Sequence, residues 1–411
     1  MRHYIAVAIT FSLFAVPWLA THYPSQADTV VKGIHFAGDQ LAAVVRHNPR
    51  TIAQLQTKYT VTNPKTTPSP IRILLVPGHE PHYGGAEFGK IKERDLTVQL
   101  TNELAKLLGA HGKYEIITTR DADSWNPAFA RYFDSFWNDI IDWQKSYKAE
   151  SLREISALKS LPPPPVLHND APPKVATRLY GLVKWSNENN VDIALHVHFN
   201  DYGGRRGAVG KYNGISIYTP EKLYLNGTTT RAVTEAVFNR LQKYNPISDL
   251  PGESTGIIDE RELIAIGAYN TADAASMLIE YGYIYEPQFT QPVLRDKAIK
   301  DLALQTYLGL EDFLNSTTVL AQDTVILPYT WTTPLVESTV ASMDVYAIQT
   351  ALMNEKLYPP SGRTKNDCPR TGKIGPCTLL AIKSFQTKYG IVEKGVGPKT
   401  IAELNRLYSV R

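Results

Sequence analysis

Two histidines and two glutamates lie in four separate stretches of the chain, and together they could surround one metal ion. His79 ends Val-Pro-Gly-His, Glu93 begins Glu-Arg-Asp-Leu, His198 lies in His-Val-His-Phe-Asn, and Glu280 lies in Leu-Ile-Glu-Tyr-Gly. A catalytic zinc ion takes three protein ligands from imidazole and carboxylate groups and leaves one position for water, whose pKa falls to about 7. The four stretches therefore predict a hydrolase centre.

The residue types divide into ligands and an acid-base group. His79, Glu93 and His198 fit the three ligands, and Glu280 fits the group that takes a proton from water and returns it to a leaving amine. Each residue alone would be weak evidence, because an isolated histidine or glutamate is common on surfaces and in cores. Four of them at the ends of strands or the starts of helices favour a real site.

Neighbouring residues offer alternatives within the same site. His196 and His198 point to the same face of one strand, so either could reach a metal; His198 is nearer the strand end, and His196 is predicted to support the ligands. His82 is expected to be solvated or to contact substrate. Three alternating tyrosines are expected on the strand surface, although tyrosines beside a site often stack on sugars or orient peptides; they are Tyr281, Tyr283 and Tyr285.

The elements that must position these side chains follow an α/β pattern. Between residues 71 and 314, short aliphatic runs alternate with helical periodicity, which is typical of a mostly parallel sheet flanked by helices. Such sheets present reactive side chains at the carboxyl ends of their strands. The predicted strands are 71–76, 114–120, 191–198, 214–218 and 276–281, and the predicted helices begin near residues 93, 175, 228 and 293.

The chain divides into five predicted parts. They are a signal peptide or anchor (1–27), an extension and linker with a helix at 39–59 (28–70), a catalytic domain (71–315), a second linker (316–340) and a C-terminal three-helix domain (341–411). The catalytic domain carries an aromatic, proline-broken insertion at about 124–173. Long insertions of this kind form lids or partner-docking elements, or they merely decorate the surface, and both interpretations stay open.

The N-terminal residues and the composition indicate export. An apolar run from Tyr4 to Ala20 precedes Ser25-Gln26-Ala27, which fits a small-x-small cleavage site, although an uncleaved membrane anchor is the alternative. A net charge of +3 over 411 residues predicts no nucleic-acid partner. Cys368 and Cys377, the two cysteines of the chain, are predicted to form a disulfide in an oxidising compartment.

The order of the motifs between residues 71 and 315 resembles the type-3 family of zinc-dependent N-acetylmuramoyl-L-alanine amidases. Four of the matching blocks are the stretches that contain His79, Glu93, His198 and Glu280. A fifth block is Thr119-Arg120-Asp-Ala-Asp123. The resemblance implies one zinc ion per catalytic domain, with His79, Glu93 and His198 as ligands and Glu280 as the catalytic residue. It also implies that the substrate is the amide bond between N-acetylmuramic acid and L-alanine in peptidoglycan, in the periplasm or cell wall.

The chain departs from the family pattern in three places. Glu80-Pro81-His82-Tyr83 intervenes before the glycine pair, Tyr285-Glu286 replaces a small hydroxyl residue and asparagine, and the insertion is longer than the family core needs. These departures put the loop geometry and the substrate preference in question. The insertion could also receive a protein activator.

The tail is similar to the small three-helix peptidoglycan-binding domain. Ile348-Gln349 and Phe385-Gln386 match its helix signatures, and two Gly-Pro-x-Thr turns match its loops, with Thr378 and Thr400 expected to N-cap the helices. Two other functions remain alternatives. One is a zinc peptidase or carboxypeptidase that trims the peptide stem, and the other is a catalytically inactive wall-binding protein.

Overall fold

The computed structural model describes residues 47–60, 70–110, 112–155, 171–315, 323–335 and 340–409. The predicted signal peptide or anchor and most of the extension that follows it lie outside these residues. Contacts divide the chain into two compact units, Met1–Pro49 and Arg50–Arg411, and every element named below belongs to the second. Among the described residues, no helix has both the length and the apolar character needed to cross a membrane.

A six-stranded sheet with the order β4-β1-β5-β8-β6-β7 forms the centre of this unit. All its neighbouring strands run parallel except β6 and β8, which are antiparallel. A two-stranded antiparallel hairpin, β2-β3, lies apart from it. The strands are β1 (Ile71–Pro77), β2 (Glu87–Phe88), β3 (Ile91–Lys92), β4 (Tyr114–Thr118), β5 (Ile193–Asn200), β6 (Ser216–Pro220), β7 (Ile257–Glu260) and β8 (Ala275–Tyr283).

Helices cover both faces of the sheet and form the C-terminal part of the unit, so the predicted α/β fold with a mostly parallel sheet is confirmed. The helices are α1 (Ile52–Thr60), α2 (Glu93–Gly109), α3 (Pro127–Ile155), α4 (Pro173–Glu188), α5 (Gly227–Tyr244), α6 (Pro287–Thr290), α7 (Pro292–Leu314), α8 (Met343–Asn354), α9 (Pro376–Lys388) and α10 (Pro398–Tyr408). Of the predicted helix at 39–59, the described part is helical only from Ile52.

Alternate residues of β1 pack against different helices, as the two-residue period of a strand requires. Ile73 and Leu75 belong to a core cluster with α2, α5 and α7. Leu74 and Val76 point the other way and pack with Phe129 of α3 and with α4. Because both faces are covered, the central strands read as nearly continuous apolar runs.

The C-terminal helices share their own core with the segment that precedes them. Trp331, from the stretch predicted as a linker, is buried among residues of α8, α9 and α10. Its backbone N–H donates to Asn405 Oδ1 at 2.9 Å, and its indole N–H donates to the Asp344 carbonyl at 2.9 Å. Cys368 and Cys377 form the predicted disulfide, with their Cα atoms 5.9 Å apart.

The prediction that Thr378 and Thr400 cap their helices is wrong. Gly375 and Gly397 occupy the N-cap positions. A proline follows each glycine at the first helical position, where its fixed φ suits the start of a helix, so each helix begins before its threonine. Thr378 and Thr400 instead accept hydrogen bonds from the amides of Gln349 and Gln386, at 3.0 Å and 2.8 Å.

The C-terminal helices dock onto α5 and α7 of the sheet domain. Arg370 donates to Asp301 of α7 at 3.0 Å, and the two side chains are only 3% and 1% exposed. Tyr244 of α5 donates to Asn354 at 2.8 Å, and Leu294 of α7 lies in the C-terminal core cluster. The tail is therefore part of the same packed unit as the sheet.

Candidate active site

Three of the residues singled out in the sequence converge at the carboxyl ends of β1 and β5. These strands are parallel neighbours, with Pro77 opposite Val197, so His79 just beyond β1 comes close to His198 of β5. Glu93 begins α2 and reaches both imidazoles: its Oε1 lies 2.8 Å from His79 Nε2 and 3.2 Å from His198 Nδ1. One ligand atom from each residue lies within 4.8 Å of the other two.

The donor set fits a divalent cation. His79 Nε2 is buried, and among the described residues its near polar neighbour is Glu93 Oε1, 2.8 Å away but without hydrogen-bond geometry. Two imidazole nitrogens and one carboxylate converge here, and hydrogen bonds do not satisfy all of them. These are the donor types that a catalytic zinc site uses. His79, Glu93 and His198 are therefore the residues of this site that could hold a metal.

Backbone N–H groups hold the carboxylate of Glu93 in place. Glu93 Oε2 accepts from Ala86 N at 2.8 Å, and Oε1 accepts from Phe199 N at 3.1 Å. Burial opposes ionisation of Glu93, but His79 and His198 outweigh it and lower the pKa of the carboxyl group. The group is thus ionised and oriented before any ligand arrives.

Two glycines make room for the imidazoles. A Cβ atom on Gly78 would lie 2.4 Å from His198 Cε1, and one on Gly85 would lie 2.8 Å from His79 Cδ2. His79 itself has a φ of +68°, a backbone conformation that non-glycine residues adopt rarely and that is a recognised mark of functional sites.

Glu280 lies beside the three converging residues. It stands opposite His198 in the β5–β8 pairing, it is 6% exposed, and its Oε2 has no hydrogen-bond partner among the described residues. Burial raises the pKa of this carboxyl group well above its usual value, and the negative charges of Glu93 and Glu253 raise it further. A buried carboxyl group beside the converging ligands is suited to taking up a proton and passing it on.

His196 does not join the converging donors. It is 3% exposed, and burial together with the nearby His198 lowers its pKa to about 3, so the ring is neutral. Its side chain lines the cavity beside Glu280. His82 is exposed in the loop after His79.

The prediction that Tyr281, Tyr283 and Tyr285 lie on the strand surface is wrong, because all three are at most 3% exposed. Both faces of β8 are covered, so alternation there does not separate surface from core. Tyr283 instead belongs to a buried network around Glu253, a residue that no sequence motif singles out. Glu253 accepts from Asn200 Nδ2 at 2.8 Å and from Tyr218 OH at 2.6 Å.

The inserted residues after His79 close one side of the site. Glu80 is 5% exposed and accepts from Trp125 Nε1 and Arg178 Nη1, each at 3.0 Å. The loop after β1 is thereby joined to the start of the insertion and to α4. No sequence periodicity marks this contact, since its three residues lie on separate loops and helices.

A cavity of about 620 Å³ opens onto the candidate ligands. His79, Glu93, His198 and Glu280 are among the polar residues that line it. The apolar part of the lining comes largely from α4 and the turn after β7, with Val175, Leu179, Leu182, Leu263 and Ile264 among its residues. A cavity of this kind, largely apolar with a few convergent polar groups, is typical of ligand sites.

Comparisons with known proteins agree with this architecture. The family model described as N-acetylmuramoyl-L-alanine amidase matches residues 73–312, more than half of the chain. A search among curated proteins found no sequence match.

Three solved structures of similar fold are of low sequence identity. The CwlD amidase from Clostridioides difficile, solved in complex with the GerS lipoprotein, is 17% identical over 60% of this chain and 98% of that chain, with a TM-score of 0.39. The amidase AmiC2 of Nostoc punctiforme is 16% identical over 59% and 97%, with a TM-score of 0.37. The amidase Ami1 from Mycobacterium smegmatis is 14% identical over 61% and 100%, with a TM-score of 0.40.

Proposed function

The chain belongs to the N-acetylmuramoyl-L-alanine amidase family and hydrolyses an amide bond of peptidoglycan; we propose that it does so with one zinc ion held by His79, Glu93 and His198. The observation that carries this proposal is the convergence of the three ligand atoms within 4.8 Å of one another. The bond cut is the one between the lactyl group of N-acetylmuramic acid and L-alanine.

Glu280 is the proposed catalytic acid and base. Its unpartnered Oε2 takes a proton from the attacking water, whose oxygen bonds to the amide carbon. The same proton then passes to the amide nitrogen as the C–N bond breaks. The second proton of the water leaves the new carboxyl group for the amine, so the products are a lactyl carboxylate and a protonated alanine amine. A zinc ion at the ligand site would polarise the carbonyl and lower the pKa of a water molecule, so that a neutral-pH nucleophile is available.

The chain's own residues prepare this reaction in two further ways. The backbone N–H groups of Ala86 and Phe199 hold the Glu93 carboxylate in place, so the ligand set needs little rearrangement. The lining of the cavity is largely apolar, with residues of α4 among it, and a substrate that displaces water from such a lining strengthens the electrostatic interactions inside.

Replacing Glu280 with glutamine tests this role. The Glu280→Gln chain should keep the zinc content of the unaltered protein and lose about 10²–10⁴-fold in the rate of peptidoglycan hydrolysis, since the amide cannot take the proton. His79→Ala is the matched comparison and should lose zinc as well as activity. Retained activity in Glu280→Gln would remove this residue from its proposed role.

Mass spectrometry of the digested muropeptides tests the bond that is cut. Free stem peptides beside intact glycan chains are expected. Trimmed stems that remain attached to the sugar would show a peptidase instead, and unaltered muropeptides with a zinc-free protein would show a wall-binding protein without catalysis.

We propose that the C-terminal helices bind peptidoglycan. Leu380 of α9 is 53% exposed and Val392 in the loop after α9 is 87% exposed, which leaves two apolar side chains available for contact with the polymer. With Glu280→Gln as background, full-length protein should sediment with purified cell wall, and Leu380→Glu should reduce the bound fraction. Equal sedimentation of the two proteins would show that this surface of α9 does not bind the wall.

We propose that the insertion receives a protein activator. Helix α3 bends at Phe136, whose backbone is not helical and whose side chain is 43% exposed. Phe136→Glu should leave the hydrolysis of purified cell wall unchanged and reduce hydrolysis in intact cells, where the activator is present. An equal effect in both assays would indicate a structural role for this position.

Export is the fourth element of the proposal, and it follows from the substrate, which lies outside the cytoplasmic membrane. N-terminal sequencing of the protein recovered from cells should begin after Ala27 if the predicted signal is cleaved. A blocked or unprocessed N-terminus in the membrane fraction would indicate the anchor.

A further inference from the structure

We propose that Arg120 is the positioning residue of the ligand site, because its guanidinium group joins the loop that carries His79 to the helix turn that carries Glu93. Arg120 follows β4 and is 3% exposed. It touches neither ligand side chain through any contact that the structure records, so it acts through the backbone. This inference rests on the proposed metal site.

The guanidinium group donates to carbonyl oxygens of three segments. Its Nε donates to Pro77 O at 3.2 Å, and its Nη2 donates to Gly78 O, the two residues before His79. The same Nη2 lies 3.1 Å from Arg94 O, in the first turn of α2 beside Glu93. Its Nη1 donates to Asp121 O at 2.8 Å, which ties the group to its own loop.

The hydrogen bonds of Arg120 to these three segments are called the junction below, and Thr97 completes the junction from α2. Its hydroxyl group is fully buried, lies 3.3 Å from Arg120 Nη2 and donates to Arg94 O at 3.0 Å. The same hydroxyl lies 3.4 Å from Gly78 O. Arg120 thus holds the Gly78 carbonyl, and the Thr97 hydroxyl of α2 lies against both groups.

This junction holds the backbone around His79, which has the least favourable conformation among the ligands. His79 has a φ of +68°, and a residue other than glycine keeps such a conformation only where its surroundings enforce it. Gly78 is packed against the His198 ring, so rotation of the 77–79 backbone would displace both imidazoles. Because Arg120 fixes the carbonyls of the two consecutive peptide units that join Pro77, Gly78 and His79, it fixes the direction in which the His79 ring leaves the strand.

Arginine is suited to this position and lysine is not. The guanidinium group is planar and offers five N–H donors in a rigid fork, so one side chain can satisfy carbonyls from several segments at once. An ammonium group keeps the charge but has no fixed fork, and buried carbonyls that lose their donors carry a desolvation cost. Arg120→Lys should therefore fold and yet position His79 less well.

The test measures metal binding by the full-length protein without reference to turnover. Co²⁺ is titrated into metal-free protein, and both the dissociation constant and the visible absorption spectrum are recorded. Arg120→Met and Arg120→Lys should weaken Co²⁺ binding by about 10–100-fold, the range typical of residues that orient metal ligands. Their spectra should change, since the coordination geometry changes.

Arg370→Met is the matched control. Arg370 is an equally buried arginine, but its partners Asp301 and Thr350 lie in the contact between the tail and α7. Arg370→Met should lower the thermal midpoint and leave the Co²⁺ affinity and spectrum unchanged. Loss of affinity from instability alone would appear in this control too, and that result would overturn the proposal.

The remaining outcomes separate the two proposals. If unaltered protein binds no Co²⁺, the metal site itself is refuted. If it binds Co²⁺ and the folded Arg120 variants bind with the same affinity and spectrum, only the role of Arg120 is refuted. Should Arg120→Met fail to fold, Arg120→Lys and Thr97→Val decide, since each removes part of the junction; unchanged Co²⁺ binding in both would overturn the proposal.

Discussion

Gly78 illustrates how closely single residues are fitted around the ligands. The His198 ring occupies the place where any side chain of residue 78 would begin, with 2.4 Å between the added Cβ and His198 Cε1. Contacts this short do not occur in real proteins, so a larger residue must displace either the ring or the backbone.

The first prediction concerns this contact. Gly78→Ala should weaken zinc binding and slow hydrolysis, each by more than about tenfold, because a displaced imidazole binds metal less well. Zinc content after dialysis against a chelator measures the first effect, and muropeptide release measures the second. Gly109→Ala is the control, since a Cβ there meets no atom within 4 Å; a similar loss in this variant would contradict the explanation.

The second prediction concerns Glu260, at the end of β7. This carboxyl group is 1% exposed, and its Oε2 has no hydrogen-bond partner among the described residues. Burial raises its pKa to about 7, against the opposing backbone N–H groups of Glu262 and Arg261. The folded state therefore binds the proton more tightly than the unfolded state does.

The sign of the stability effect follows. Protonated Glu260 makes its full contribution to the free energy of unfolding below about pH 4.5. This contribution declines by about 3 kcal/mol as the pH rises to about 7. Glu260→Gln abolishes this decline, so the variant should gain stability relative to the unaltered protein at pH 8 but not at pH 4.5. Urea unfolding at both pH values measures the difference, with the exposed Glu262→Gln as control; a gain of equal size at both pH values would contradict the assignment.

The residue types of the site could be predicted from the sequence, and several of their supports could not. Imidazoles and carboxylates at strand ends indicate metal chemistry by type and order. Arg120 and Glu93, by contrast, bind backbone carbonyls and N–H groups, and no residue type marks a backbone partner in a sequence. Glu253 lies in a loop without periodicity, and its donors come from distant strands.

At the scale of elements, α3 contributes to the core although it lies in a segment predicted as an insertion. Phe129, Phe133 and Ile140 are buried with residues of β1 and α4 in one cluster. Gly181 of α4 makes this packing close, because a Cβ there would lie 2.9 Å from Ile140. The first half of this helix therefore belongs to the sheet domain and is more than surface decoration.

The third prediction tests this packing. Phe129→Ala should lower the free energy of unfolding by about 3–5 kcal/mol, the usual cost of removing a buried phenylalanine side chain. Phe136→Ala, on the same helix but 43% exposed, should change it by less than about 1 kcal/mol. Chemical denaturation of both variants measures the difference. Equal small effects would show that α3 contributes little to the core.

The alternation of apolar residues placed most of the elements correctly, and it failed where tertiary pairing decides. The strand predicted over residues 191–198 from its periodicity is present as β5, two residues further along the chain. The pattern could not show that β6 runs antiparallel to β8, because side-chain alternation is the same for either direction. Strand β7 has four residues, too few for its period to stand out from the loops around it.

At the scale of the whole molecule, the sheet domain and the C-terminal helices are joined by buried polar groups. Asp301 of α7 accepts from Arg370 Nη2 at 3.0 Å and also from Val325 N at 3.2 Å. The Arg370 guanidinium lies 4.4 Å from the centre of the Tyr346 ring and 5.3 Å from that of Tyr244. From the sequence, the tail was predicted to be a separate domain after a linker. Its docking could not be predicted, because a linker and a docked segment can share the same composition.

The fourth prediction concerns this buried pair. Asp301→Asn leaves the Arg370 charge without its partner and should lower the free energy of unfolding by about 3–5 kcal/mol. Asp296→Asn, which breaks an exposed pair on the same helix with a side chain 67% exposed, should cost less than about 1 kcal/mol. Calorimetry should also show one unfolding transition for the described unit. Two well-separated transitions would mean that the tail folds independently.

A docked tail changes how the enzyme would meet an insoluble polymer. A module on a flexible tether raises the local concentration of substrate for any arrangement of the polymer. The tail here is fixed to α7 by the Asp301–Arg370 pair, so its orientation toward the cleft is constant. If the tail binds peptidoglycan as proposed, glycan strands must approach in one orientation. The tail then selects which peptide stems are cut.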